Sequence, residues 1–254
     1  MILDQNLVKS LMDQISKLEI EFGNTYQIDD KNVPRVTEIL SAMLHNDSLL
    51  SWANNLGRKR ISYKAFMKDA ADKGTYSHLA IENYLKDGYV DLTKLGPISE
   101  QIKIVVQSCV DGFLKWWNNL HENHTNIEIV FIEESLIHEY FGGTCDCLLK
   151  VDGKYYLLDF KTSNHMSYNY ALQLAAYRFL FRELKNINID KCGILMLSKV
   201  DHNYKTYELD LSIPEHLQYI NECEQAFMSL AAAYRMRMYT TDKYYKIFNV
   251  EKFN

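Results

Sequence analysis

The feature that most restricts the fold of this chain is a Val-Asp-Gly-Lys segment at residues 151–154, which separates two runs of apolar residues. An Asp-Gly pair in this setting predicts a two-residue β-hairpin turn, because both central positions of the turn need positive φ angles. A two-residue turn also sets the pairing register of the two strands. In that register Asp146 lies directly opposite Asp159.

The two opposed aspartates predict a metal centre. Directly opposed residues have Cβ atoms about 4.5–5.5 Å apart, and two carboxylates at that separation repel each other. A divalent cation between Asp146 and Asp159 would turn the repulsion into attraction, and hard oxygen ligands favour Mg²⁺ or Mn²⁺.

Lys161 completes this predicted centre, because side chains alternate along a strand and Lys161 therefore shares a face with Asp159. Its ammonium could position or deprotonate an attacking water, or neutralise charge that develops on a phosphate. Two aspartates, one lysine and a divalent cation together suit phosphodiester hydrolysis. The alternative is a surface hairpin in which Asp159 and Lys161 form only a charge pair, but the apolar residues around them favour a central strand.

Apolar periodicity predicts a helical N-terminal half followed by the order β-β-β-α-β-β-α, which indicates an α/β fold with a sheet covered by helices. The first half is predicted to contain helices at 4–22, from Pro34, at 47–56, at 60–86 and from Pro97 to about 122, with a short strand or turn at 26–33. The second half is predicted to contain strands at 127–137, 144–151, 154–162, 192–198 and 204–209, and helices at 168–184 and from Pro214 to about Tyr234.

The length of 254 residues predicts one domain, with a helical cover at 1–125, a β-sheet core at 126–234 and a basic, aromatic tail at 235–254. We expect no membrane segment and no secretion signal. The cysteine count is odd, and the spacings match no zinc site. Reduced thiols and a cytoplasmic location, in the host cytoplasm for a phage-encoded chain, are therefore expected.

A net charge of -5 argues mildly against a nucleic-acid partner, but the local distribution of charge favours one. Two stretches, residues 58–73 and the tail, mix basic with aromatic residues, which suits a phosphate backbone with stacked bases. The alternative is a solvated helix face and an ordinary tail. The candidate nucleic-acid-binding residues of the first stretch are Arg58, Lys59, Arg60 and Lys64.

Five motifs occur in order along residues 33–180: Val33–Leu40, Gly74–His78 followed by Glu82, Gly143–Asp146, Leu158–Ser163, and Gln173-x-x-x-Tyr177. In this order they resemble the PD-(D/E)xK nuclease superfamily, specifically its RecB-like exonuclease branch with phage-type and mitochondrial-type members. The resemblance implies a restriction-endonuclease-like core, in which helices flank a mixed central β-sheet.

The resemblance also implies roles for single residues. The metal ligands would be Asp146, Asp159, the Phe160 carbonyl and His78, and the catalytic lysine would be Lys161. Gln173 and Tyr177, which share a helix face, would orient the lysine or touch the DNA backbone. Thr162 and Ser163 would also contact the nucleic acid. Glu134 would be a supporting acidic residue, with Glu133 as the alternative. Without the resemblance, His78 and Tyr177 would be read as structural residues and Gln173 as a solvent-exposed amide.

The chain departs from the family pattern in its cysteines. Cys145 stands where many members have proline, and only Cys192 and Cys223 follow the Gln173 motif, so we expect no iron–sulfur cluster. Strand alternation predicts that Cys145 and Cys147 both face away from Asp146 as core thiols. The sequence has no Walker motif, so no use of ATP is expected.

These features lead to three hypotheses. The first is a Mg²⁺- or Mn²⁺-dependent DNA exonuclease that acts on single strands or duplex ends in processing, recombination or repair, with a recombination or strand-annealing protein as a possible partner. The second is an endonuclease on the same fold. The third is a non-catalytic nucleic-acid-binding subunit of a recombination complex.

Overall fold

The computed structural model of the protein describes residues 5–16, 25–28, 31–44 and 47–248. Its first half is mainly helical, and its second half supplies a five-stranded mixed β-sheet with helices on both faces. The predicted α/β fold, with a mixed central sheet flanked by helices, is confirmed.

The first half contains short and long helices around one small hairpin. Its elements are α1 (Gln5–Ile15), β1 (Thr25–Ile28), β2 (Lys31–Pro34), α2 (Val36–Met43), α3 (Asp47–Arg58), α4 (Tyr63–Asp87), a 3-10 turn (Leu92–Leu95) and α5 (Glu100–Asn123). The prediction that Pro34 begins α2 is wrong, because Pro34 pairs with Thr25 as the last residue of β2. The predicted turn at 29–30 and helix end at 17–22 lie outside the described residues.

The second half follows the predicted order closely. Its elements are β3 (Ile127–Ile137), β4 (Gly142–Val151), β5 (Lys154–Lys161), α6 (Tyr168–Lys185), β6 (Lys191–Leu197), β7 (Tyr204–Asp210) and α7 (Pro214–Phe248). The predicted end of α7 near Tyr234 is wrong, since no Gly or Pro interrupts the segment that follows. Within the described ranges, no helix is long and apolar enough to cross a membrane.

The sheet has the order β3-β4-β5-β6-β7, and only its β5–β6 pair is parallel. Helix α6 makes the crossover between these two strands. Helices α1, α2, α6 and α7 pack on one face of the sheet, and α4 and α5 pack on the other. The predicted turn is confirmed, with positive φ angles of 48° at Asp152 and 85° at Gly153.

Helix α5 passes unusually close to the loop between β6 and β7. A Cβ atom added to Gly112 would lie 2.6 Å from the backbone carbonyl oxygen of Asn203. Because the neighbouring atom belongs to the backbone, the clash cannot be relieved by rotating a side chain. Gly112 therefore allows the loop to rest directly on the helix.

We expect the Gly112→Ala substitution to lower the free energy of unfolding by about 1–3 kcal/mol, because the added methyl group displaces the loop backbone. Gly57→Ala is the matched control, since Gly57 also lies in a helix and its added Cβ would meet nothing. That change should be neutral or stabilise by up to about 1 kcal/mol. Urea denaturation followed by circular dichroism measures both. Equal stabilities of the two variants would contradict the close approach of helix and loop.

Candidate active site

The candidate site lies where β4 and β5 stop pairing. The predicted register is confirmed from Val151 and Lys154 as far as Cys147 and Leu158, and the ladder ends there. The next residues would be the opposed aspartates. Instead, Asp146 Oδ2 accepts a hydrogen bond of 2.6 Å from the Phe160 backbone N–H. The strands therefore diverge at this pair, while β5 stays paired with β6 as far as Lys161.

Asp146 also contacts a histidine that α4 carries. The Oδ1 atom of Asp146 lies 3.5 Å from His78 Nδ1, and the His78 ring packs edge-on against Phe160. Burial alone would lower the pKa of His78, but the Asp146 carboxylate outweighs it and raises that pKa to about 9. Burial in turn raises the pKa of Asp146, but His78, Lys161 and the Phe160 N–H together more than offset this, so the net change is downward.

Glu133 completes a cluster of possible metal ligands. One ligand atom from each of His78, Glu133 and Asp146 lies within 4.8 Å of the others. Burial and the Asp146 carboxylate raise the pKa of Glu133 to about 7. Glu133 has a positive φ of 49°, and it drops out of the β3–β4 register between Ile132 and Glu134.

The prediction that Glu134 is the supporting acidic residue does not agree with this geometry. The Glu134 carboxylate instead forms an ion pair of 2.6 Å with Lys185 on α6. In a regular strand Ile132 and Glu134 would share a face, but Ile132 packs with the α4 and α5 cluster while Glu134 pairs with α6. The alternation therefore breaks at Glu133, and this distortion could not be read from the sequence. The alternative residue, Glu133, is the one that reaches the site.

Asp159 begins a chain of polar contacts. Its Oδ2 atom lies 2.6 Å from the Lys161 ammonium, which donates a hydrogen bond of 3.0 Å to Gln173 Oε1. The Gln173 amide then donates one of 2.9 Å to the Tyr177 hydroxyl. Burial raises the pKa of Asp159, although Lys161 opposes this change. Burial would lower the pKa of Lys161, but the Asp159 and Asp146 carboxylates outweigh the effect of burial and raise this pKa.

Gln173 and Tyr177 thus face the lysine rather than solvent. Tyr177 is only 3% exposed, so the structure places it behind Lys161 and not on a surface that DNA could touch. A Cβ atom on Gly143 would lie 2.4 Å from Tyr177 Cε1. The glycine of the Gly143–Asp146 motif therefore makes room for the tyrosine of the Gln173-x-x-x-Tyr177 motif.

Tyr170 is a neighbour of the lysine that the sequence analysis missed. The Lys161 Nζ atom lies 5.0 Å from the centre of the Tyr170 ring, and the Tyr170 hydroxyl donates to Ser163 Oγ. Tyr170 precedes Gln173 by three residues, a spacing that places both on one helix face. This spacing is the sequence signal that could have identified Tyr170 as a neighbour of Lys161.

Two of the remaining predicted residues, Phe160 and Thr162, lie beside this centre. Thr162 comes close to α4, since a Cβ atom on Gly74 would lie 3.5 Å from its hydroxyl. Phe160 presents its N–H to Asp146, and its role as a carbonyl ligand stays a prediction. The basic residues Arg58, Lys59, Arg60 and Lys64 are exposed where α3 meets α4.

Cys145 and Cys147 are both buried free thiols, as predicted for core residues. The prediction that they share a face is wrong. Cys145 packs with α6 and α7, whereas Cys147 packs with α4 and α5. Regular alternation therefore fails at Asp146, where β4 leaves β5.

The chemistry of these donors fits a hard divalent cation. Within the described residues, the cluster consists of the Asp146 and Glu133 carboxylates and the His78 imidazole, without a thiol. Asp159 interacts electrostatically with Asp146 but is not a member of this cluster, so its predicted role as a ligand stays a prediction. Oxygen-rich donor sets of this kind suit Mg²⁺ or Mn²⁺ better than metals that prefer sulfur.

Comparisons with known proteins add little beyond this geometry. No protein-family model matches the chain, and no curated protein is similar to it in sequence. The crystal structure of SSO0001 is 13% identical over 90% of this chain and 87% of its own, with a TM-score of 0.31. A phage-related exonuclease from Haemophilus somnus 129PT is 13% identical over 84% of this chain and 97% of its own, also with a TM-score of 0.31. The functional conclusion therefore depends on the site itself.

Two neighbouring glutamates provide a direct test of the cluster. We expect Glu133→Gln to weaken Mn²⁺ binding, measured by isothermal titration calorimetry, by at least about tenfold, because it removes a charged ligand. Glu134→Gln is the matched control and should leave the affinity unchanged, since Glu134 pairs with Lys185. Equal losses of affinity in both variants would show that Glu133 is not a ligand.

Proposed function

We propose that this protein is a metal-dependent nuclease that hydrolyses phosphodiester bonds in DNA. The observation that carries the proposal is the divergence of β4 and β5, which leaves Asp146, Asp159 and Lys161 close enough to interact electrostatically at an open strand end. A protein catalyses phosphoryl transfer mainly by positioning the reacting groups and by neutralising the charge on the phosphate. A cluster of carboxylates beside one ammonium group suits both tasks.

The residues that would hold Mg²⁺ or Mn²⁺ are Asp146, Asp159, His78 and Glu133. When bound, such a cation supplies Lewis acidity toward phosphoryl oxygens and lowers the pKa of water. The burial of Asp159, which is 1% exposed, excludes bulk solvent from its carboxylate. Electrostatic interactions strengthen where water is excluded.

Lys161 is placed to neutralise charge on the substrate. An ammonium group has three N–H donors, and here one lies against Asp159 and another against Gln173. The third is available to a phosphoryl oxygen. Gln173 and Tyr177 act as positioning residues, because their hydrogen bonds hold the ammonium in place without touching the substrate.

We propose further that the enzyme acts from strand ends, on single strands or on the ends of duplexes, in DNA processing, recombination or repair. The ordered motifs that resemble RecB-like exonucleases support this part of the proposal. The Gln173-x-x-x-Tyr177 motif is the most specific of them, and its two side chains form one hydrogen-bonded unit with the lysine.

We expect the wild-type protein to release short products from end-labelled DNA in Mg²⁺ or Mn²⁺ and not in EDTA. Asp159→Asn and Lys161→Gln should each lower the rate by at least about 100-fold, as expected when charge stabilisation is removed. Lys185→Gln is the matched lysine control and should retain the rate, because its partner is Glu134.

Other outcomes of this assay separate the alternatives. Cleavage of a closed circle would identify an endonuclease and contradict the requirement for an end. Binding of DNA without turnover in either metal would contradict the enzyme and favour a binding subunit.

The turn between α3 and α4, which we call the basic elbow (residues 58–68), is proposed to hold the DNA backbone. Its basic side chains Arg58, Lys59, Arg60, Lys64 and Lys68 are exposed, and Phe66 is 42% exposed among them. Lys73, further along α4, is instead paired with Asp69 at 2.6 Å. The elbow therefore combines exposed cations with an aromatic ring for base stacking.

We expect replacement of Arg58, Lys59 and Arg60 by alanine to weaken single-strand binding and make it less sensitive to salt. The slope of log affinity against log salt should become shallower by about 0.7 for each phosphate that the variant no longer neutralises. Fluorescence anisotropy from low to moderate salt measures it. Lys103→Ala, on the exposed start of α5, is the control and should not change the slope. An unchanged slope in the triple variant would remove the elbow from the binding surface.

A further inference from the structure

A polar cleft opens at the carboxyl ends of the parallel strands β5 and β6. Its cavity volume is about 180 Å³, and the lining residues used below are Ser163, Asn164, Ser198, Asp201, Asn203 and Lys205. A cavity of this size is smaller than the roughly 300–1,000 Å³ of drug-sized ligand sites, so it has room for one small polar group and not for a large ligand. The ends of parallel strands are a common position for ligands in α/β sheets.

The cleft lies next to the candidate catalytic lysine. Met196, in its wall, pairs directly with Lys161 across the parallel ladder, and neighbouring strands are about 4.8 Å apart. Ser163 follows Lys161 by two residues and lines the same cleft. A group bound there would sit beside a phosphate that Lys161 contacts.

Helix α5 holds the outer wall of the cleft, the loop 198–203, in a fixed shape. The Ser108 hydroxyl donates to the Ser198 carbonyl at 2.9 Å and accepts from the His202 N–H at 3.0 Å. The Lys115 ammonium donates to the His202 carbonyl at 2.7 Å, and the His202 ring pairs with Asp111 at 2.7 Å. A surface loop with so many anchors is rigid before any ligand arrives.

The loop also satisfies its own backbone. The Ser198 N–H donates to the Asn203 carbonyl at 2.9 Å, and the Ser198 hydroxyl accepts from the N–H groups of Val200 and Asp201. The close approach of Gly112 to Asn203 completes the support. The polar side chains of the cleft are thus presented by a wall that needs no ligand to fold.

Three of these side chains have no internal partner. Within the described residues, the Asn164 amide, the Asp201 carboxylate and the Lys205 ammonium form no hydrogen bond or ion pair, and all three are exposed. They offer an amide with donor and acceptor, an acceptor that carries charge, and a cation. A ligand with a hydrogen-bonding edge and an adjacent anion would complement all three.

We propose that this cleft binds one unstacked nucleobase of the substrate strand next to the scissile phosphodiester, an inference that rests on the proposed nuclease function. Asn164 and Asp201 contact the edge of the base, and Lys205 contacts a neighbouring phosphate. A phosphate inside the cleft is disfavoured, because the Asp201 carboxylate would repel it. Phosphate contacts position a strand, whereas base contacts distinguish sequences.

The acidic side chain predicts which bases the cleft prefers. A carboxylate accepts hydrogen bonds from the exocyclic amine of cytosine. Thymine instead presents carbonyl oxygens on both sides of its single edge N–H, and Asp201 repels them. Cytosine should therefore bind more tightly than thymine.

The test compares dC and dT homo-oligonucleotides, two weakly stacked pyrimidine strands, by fluorescence anisotropy in EDTA. We expect wild type to bind dC about fivefold or more tightly than dT, and Asp201→Asn to abolish that difference. Asn164→Ala should weaken binding of dC more than of dT. Lys205→Ala should weaken both equally, while the control Lys154→Ala, an exposed lysine at the opposite end of β5, should weaken neither. All these side chains are exposed, so the variants should fold.

Equal binding of dC and dT by wild type, or a preference that survives Asp201→Asn, would overturn the proposal. Cleavage of the same strands in Mg²⁺ tests the proposed nuclease function separately from the proposed base-binding cleft. Cleavage without base preference would retain the nuclease and remove the base site. Base-dependent binding without cleavage would retain the site and remove the nuclease.

Discussion

The hydrogen bond from the Phe160 N–H to the Asp146 carboxylate is the interaction on which the candidate site depends. A buried backbone donor left without a partner costs about 1–3 kcal/mol. When β4 and β5 separate, a carboxylate from one strand takes the place of the backbone acceptor that the other strand no longer has. The hairpin can therefore open without that cost, and the same carboxylate becomes part of the candidate metal centre.

The distorted backbone at Glu133 has a comparable effect on β3. A positive φ is uncommon outside glycine and costs on the order of 1–3 kcal/mol, and such residues concentrate at functional sites. The regular pairs on either side of Glu133 hold this conformation in place. One backbone angle thus decides that Glu133 joins His78 and Asp146, while Glu134 pairs with Lys185.

The sequence was sufficient wherever local rules apply. The Asp152–Gly153 turn needs positive φ angles, so the register of β4 and β5 followed from it. The sequence was insufficient where tertiary packing overrides regular geometry. Regular alternation misplaced Cys147, because the alternation of faces along β4 breaks at Asp146, where β4 leaves β5. The Lys161 neighbour Tyr170 and the cleft beside it depend on how α6 and the 198–203 loop pack, which no local pattern specifies.

The distribution of the site along the chain has a consequence for folding order. Asp159, Lys161, Gln173 and Tyr177 belong to one contiguous strand–helix unit, so their contacts close a short loop. The contact of His78 with Asp146 joins segments that are far apart in sequence, and such contacts form more slowly because a larger loop must close. The lysine and its supports can thus assemble first, and the histidine arrives only when α4 docks on the sheet. A partly folded chain would hold the lysine in place before it could hold a metal.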